Sequence, residues 1–149
     1  MKIRGISICL LALLLPQQLG ATSIDFFSVT FAPGRPTLSD SIMDAAQDQA
    51  WVERAVAHNL QLIRRVPHIK YQVTGTADGK ECIASTCHAL ALRRARLFQA
   101  ALIAGGAPGK IFCQPAAMDT PWPSTYTPSV DELVIGRQAT LKPVFDGRA

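Results

Sequence analysis

Two rhythms of hydrophobic and polar positions run along this chain, and the switches between them lay out its elements. Ile24 to Phe31 is rich in β-branched and aromatic residues and predicts a strand, stopped by Pro33, Gly34 and Pro36. From Ser39 the apolar residues Ile42, Ala46, Val52, Val56, Leu60 and Ile63 recur at helical spacing. They predict an amphipathic helix to about Arg65, breakable near Gln47–Gln49 and ended by Pro67. Ile69, Tyr71 and Val73 alternate with polar neighbours, a second strand that ends at Gly75, and Asp78-Gly79 is a turn pair. A second helix is expected from about Thr86, as N-cap, to Gly105-Gly106, with Pro108 behind it. Ile111 to Cys113 predicts a short third strand, and Met118 to Pro128, with its three prolines, a surface loop. Ala139 to Phe145 predicts a last strand, placed by Pro143 at an edge or a bulge. The order β-α-β-α-β-β is that of an α/β layer in which helices cover one face of a mixed sheet.

The front end changes the count. Lys2 and Arg4 precede an almost unbroken apolar run, Ile6 to Leu15, followed by Pro16 and the small residues Gly20 and Ala21. A run this short is expected to be a secretory signal peptide covering residues 1–21, since it is too short to span a bilayer. Residues 22–149 then form a single domain. Losing Lys2 and Arg4 takes the formal charge from +4 down by two. So mild a charge, without a lysine-arginine block, argues against nucleic acid as a partner. No second apolar run approaches membrane length. Cys9 leaves with the leader, and Cys82, Cys87 and Cys113 remain in an oxidising compartment, enough for one disulfide and one thiol.

One cation stands out on the second helix. Leu90, Leu97, Phe98 and Ala101 define its expected buried stripe, and Arg94 falls within that stripe. Arg93 lies near the border and Arg96 on the opposite face. An inward-pointing arginine needs a partner, because an unpaired buried charge is very costly. The nearest acid expected to face the helix start is Asp78. Two readings follow: a structural ion pair tying the turn to the helix, or a recognition pair at a pocket mouth. Arginine offers a fork to a carboxylate, and aspartate accepts from an ammonium.

Gly75-Thr76-Ala77-Asp78, then Leu90-Ala91-Leu92-Arg93-Arg94-Ala95, then Gly105 to Pro108, together resemble the OmpA-like peptidoglycan-binding domain. The family typically shows Gly-His-Thr-Asp after the second strand, Leu-Ser-x-x-Arg-Ala in the next helix, and a late Asn-Arg-Arg. Val29-Thr30-Phe31 with Pro36-Thr37-Leu38 resembles its opening, and Gly136-Arg137-Gln138 takes the late position. The resemblance runs from about Phe26 to Phe145. It implies a βαβαββ two-layer sandwich and a periplasmic, non-covalent anchor to peptidoglycan, with no cofactor and no catalysis. Outer-membrane or other envelope proteins are the further partners it suggests. By resemblance, Asp78 takes the ammonium and Arg94 the carboxylate at the diaminopimelate end of a stem peptide, with Arg137 flanking them. The chain departs from the pattern at Thr76 for the usual His, Ala77 for Thr and Cys87 for Asn, and in a loop about one residue longer. The alternative is a degenerate member serving as a protein-interaction or structural module in the envelope.

Cys82 and Cys87 lie inside that loop, beside His88. A metal site would count Cys82, Cys87, His88 and Cys113, but zinc cysteines are more often closer together and the compartment is oxidising. The pairing expected is a Cys82–Cys87 disulfide, with Cys113 buried as a small apolar side chain. His58 and His68 read as helix-surface and helix-end residues. Trp51, Trp122 and Tyr126 could stack on sugar, although scattered aromatics more often serve packing. Gly105 to Lys110 has a phosphate-loop look, but it closes a helix where such a loop must open one.

Overall fold

A computed structural model of the chain describes residues 25–82, 84–118, 129, 132 and 135–145. The expected leader, the cleavage point, Trp122 and Tyr126 lie outside the described residues. The elements in chain order are β1 (Val29–Thr30), α1 (Ile42–Ala45), α2 (Gln49–Arg65), β2 (Lys70–Gly75), α3 (Ala84–Ala104), a 3-10 turn (Gly109–Ile111), β3 (Ala116–Ala117) and β4 (Gln138–Val144). The sheet runs β1-β4-β2-β3, with β2 and β3 parallel and β4 antiparallel to both its neighbours. Tyr71 and Val73 on β2, and Ala139 and Leu141 on β4, are buried two residues apart on each strand. They pack with Val29, Phe31, Val52, Ala55, Ile63, Phe98 and Leu102 into one core. The α/β architecture with helices on one face of a mixed sheet is therefore the one the pattern implies. Among the described residues no helix is long and apolar enough to cross a membrane.

The first helix does break near Gln47, and the cause is hydrogen bonding. Ser41 caps α1 in a reciprocal box with Asp44, and Asp48 caps α2 by accepting from the Trp51 N–H. Between them the backbone serves the first strand. Ala32 N donates to Ala45 O, Gln47 N donates to Thr30 O, and Phe31 bridges to Ala46.

Ile24, the start of the expected first strand, lies outside the described residues, and from Asp25 to Phe31 the strand shrinks to Val29–Thr30 for a related reason. Asn59, fully buried on α2, accepts from Phe27 N–H at 2.9 Å and donates to Phe27 O at 2.8 Å. A helix side chain thus satisfies the backbone where a neighbouring strand would. Trp51 stacks on Phe27 and donates to Ser28 O, so it serves packing, and His58 also stacks on Phe27, with ring centres 3.8 Å apart.

Three further expectations are corrected. Ile111 to Cys113 is not a strand. Phe112 makes a single bridge to Tyr71, and pairing resumes only at Ala116 and Ala117, because the intervening Pro115 has no N–H to give a ladder. Cys113 is half-buried, not buried, beside this interrupted edge. Helix α3 starts at Ala84, so Thr86 is its third residue and no cap. Terminal signals locate a helix end only to within a residue or two.

Candidate functional site

The buried stripe of α3 is Leu90, Ala91, Arg94, Ala95, Phe98 and Leu102, while Leu97 and Ala101 sit half-buried on its border. The stripe is rotated from the expected one because small residues let the helix lie close on β2. A Cβ at Gly75 would come within 1.9 Å of Ala91 O. This rotation puts Arg94 at the centre of the helix–sheet contact. It is fully buried, with its guanidinium 5.5 Å from the Phe31 ring centre.

All five N–H donors of Arg94 have acceptors. Nε donates to Arg35 O at 2.7 Å, Nη1 to Thr76 O at 2.8 Å, and Nη2 to Ala32 O at 3.4 Å. The remaining two form a fork on Glu81, Nη1 to Oε1 at 2.6 Å and Nη2 to Oε2 at 2.7 Å. The Glu81 side chain is only 1% exposed. Its Oε1 also accepts from Asp78 N–H at 3.0 Å, and its Oε2 from Gly34 N–H at 2.8 Å. Pro33-Gly34 forms the turn that wraps this pair. Arg35 N donates back to Ala32 O, Gly34 has φ +71°, and the turn supplies two carbonyls to the arginine and one N–H to the glutamate.

Asp78 is 1% exposed and has a different partner. Its Oδ2 accepts from Arg137 Nε at 2.5 Å, and its Oδ1 from Lys80 N–H at 2.8 Å. Arg137 is 17% exposed and reaches within 3.9 Å of Glu81. Thr76 Oγ1, in the position where the resemblance expects His, accepts from Gln138 N–H and shares its one proton between Ile135 O at 3.0 Å and Gln138 O at 3.3 Å, at the start of β4. Cys82 and Cys87 are joined as a disulfide, which removes two of the four thiol and imidazole groups that a metal site would have used.

Asp78, Arg94 and Arg137 are thus brought into one cluster, but the expected Asp78–Arg94 ion pair is not what forms. Two acids and two arginines pair crosswise, Glu81 with Arg94 and Asp78 with Arg137, at the junction of β2, α3 and β4. Sequence reasoning missed Glu81, although it is the other acid between β2 and α3. It also passed over Asn59, which continues the three-four spacing of the α2 stripe from Val52 and Ala55 to Ile63.

No family model and no curated protein sequence matches the chain. Solved structures do. The peptidoglycan-associated lipoprotein from Burkholderia pseudomallei aligns at 20% identity and TM-score 0.57, over 78% of this chain and 89% of that one. The cell wall anchor of the T6SS from Pseudomonas aeruginosa aligns at 14% identity and TM-score 0.52, over 76% of each chain. The OmpA-like domain of FopA1 from Francisella tularensis subsp. tularensis SCHU S4 aligns at 13% and 0.55, over 79% of this chain and 74% of that one. Likeness at such identities is likeness of backbone, and the chain has the fold of the OmpA-like domains.

Proposed function

We propose that this chain is an exported, periplasmic peptidoglycan-binding module that takes the diaminopimelate end of a stem peptide and performs no catalysis. The observation that carries the reading is the gathering of Asp78, Arg94 and Arg137 in one hydrogen-bonded cluster on an OmpA-like fold. The names of two structural neighbours, a peptidoglycan-associated lipoprotein and a cell wall anchor, support the same ligand class. The chemistry is an exchange. Each internal pair stands in for one charge of the ligand, so that a stem ammonium replaces Arg137 at Asp78 and a stem carboxylate replaces Glu81 at Arg94. Each charge-assisted contact of this kind contributes about 1.5–3 kcal/mol.

A second reading is favoured by the saturation of Arg94, whose five donors are all used within the chain. In it the fold is retained as a protein-interaction or structural module of the envelope. Co-sedimentation of the purified protein with isolated sacculi separates the two. Binding that weakens in Asp78→Asn supports the stem reading; a folded protein that stays in the supernatant supports the module.

A further inference from the structure

We infer that Glu81 is an internal competitor for the ligand carboxylate, and hence the residue that sets how strongly the Arg94 fork accepts a carboxylate from outside. The inference takes its ligand from the stem-binding reading above. Its own ground is the hydrogen-bond geometry of Glu81. Both carboxylate oxygens meet donors alone: Asp78 N–H and Arg94 Nη1 at Oε1, Gly34 N–H and Arg94 Nη2 at Oε2. This is the set of contacts a captured carboxylate would make, and a side chain from the same protein already makes them.

The loop is built to keep Glu81 there. Its chain neighbour Cys82 is tied by the disulfide to Cys87 on the first turn of α3. Cys87 and Arg94 are seven residues apart on that helix, so they share a face. Tether and fork therefore fasten one short loop to one helix stripe. A competitor held this way has a high effective concentration and yields more readily to a ligand that gains at a second point, here Asp78, than to a lone carboxylate. If the fork is open in about a tenth of molecules or fewer, outside carboxylates bind about tenfold or more weakly than the bare fork allows.

Glu81→Gln is the direct test, because a carboxamide cannot occupy the same place. Its NH2 would face the two donors served by one of the oxygens. The full chain, labelled with 15N-arginine, is titrated with sodium acetate and separately with meso-diaminopimelic acid, and the Arg94 guanidinium resonances are followed, assigned by their loss in Arg94→Lys. The expected result is that Glu81→Gln binds acetate at least about tenfold more tightly than the unaltered chain. Equal binding would overturn the inference. Should Glu81→Gln fail to fold, Cys82→Ser/Cys87→Ser keeps the glutamate and removes only its tether. It should then tighten acetate binding by at least about twofold through the lost effective concentration, and no change would overturn the inference equally. The acetate arm reads the fork whatever the natural ligand. Acetate uptake by Glu81→Gln with no sedimentation of either protein on sacculi leaves Glu81 as the competitor and removes the stem reading. Sedimentation without that uptake does the reverse.

Discussion

Gly75, the last residue of β2, lies against the carbonyl of Ala91 on α3 so closely that a Cβ would sit 1.9 Å from that oxygen. The contact seats the helix that carries Arg94. Gly34 is glycine for the opposite reason: nothing lies within 4 Å of its missing Cβ, but its φ is +71°. Gly75→Ala should therefore push α3 off the sheet and destabilise by about 3 kcal/mol or more. Gly34→Ala meets only conformational strain, about 1–2 kcal/mol. Chemical denaturation of the two variants should rank them in that order, and a costlier Gly34→Ala would contradict this account of both positions.

Asn59 gives a second test of how the first strand is held. Its side chain meets both the N–H and the C=O of Phe27, and neither backbone group has a strand partner in the described ladder. Asn59→Ala should cost about 1–3 kcal/mol for each group left without a partner, less any that water reaches. Asn59→Asp keeps the acceptor for Phe27 N–H and turns an oxygen on Phe27 O, so it should do no better. Amide hydrogen exchange at Phe27 should speed up in the alanine variant; unchanged protection would show that something else holds the segment.

Much of this fold was legible because periodicity reports burial directly. The α2 stripe, the alternation of Tyr71 and Val73, and the closing glycines of α3 all arise from local chemistry. Gly106, for example, ends the helix with φ +109°. What periodicity could not give was partner choice. Helical spacing alone puts Arg94 inside, yet Glu81 and Asp78 are three residues apart in one loop, and only the folded loop decides which of them fills the fork. The third strand failed likewise. Ile111 to Cys113 has strand composition, but Pro115 and the register against β2 moved the pairing to two alanines with little strand signal of their own.

The loop before α1 should give a measurable pH signature. The Thr37 backbone N–H and then the Arg35 guanidinium hold the Asp40 carboxyl at about 2, below its ordinary 3.8. A depressed carboxyl stabilises the folded state fully above its unfolded value. That contribution fades as pH falls from the ordinary value through about 2. The stability gap between the unaltered chain and Asp40→Asn should thus be constant near neutrality and close as acid approaches pH 2. Carbon-detected titration of the carboxyl should show a midpoint well under the ordinary value. A midpoint at or above the ordinary value would mean that the contacts with Thr37 and Arg35 do not persist in solution.

The decisive comparison sets Asp78→Asn against Arg94→Lys. Arg94 serves five acceptors from a fully buried position, whereas lysine has three donors and no fork. Replacing it leaves Glu81 buried among unmatched groups and should destabilise by about 3–5 kcal/mol. A loss of sacculus binding in Arg94→Lys therefore carries meaning only per folded molecule. Asp78→Asn is gentler. Its remaining oxygen can still accept from Lys80 N–H, and Arg137, already 17% exposed, can turn its charge to water. Its melting temperature should fall by far less than that of Arg94→Lys. Its affinity should drop about ten- to a hundredfold, because the charge that attracts a stem ammonium is gone. A pure scaffold pair behaves differently: stability falls, while the folded fraction sediments as before. If Asp78→Asn melts low and still sediments fully, Asp78 and Arg137 hold the turn and nothing more.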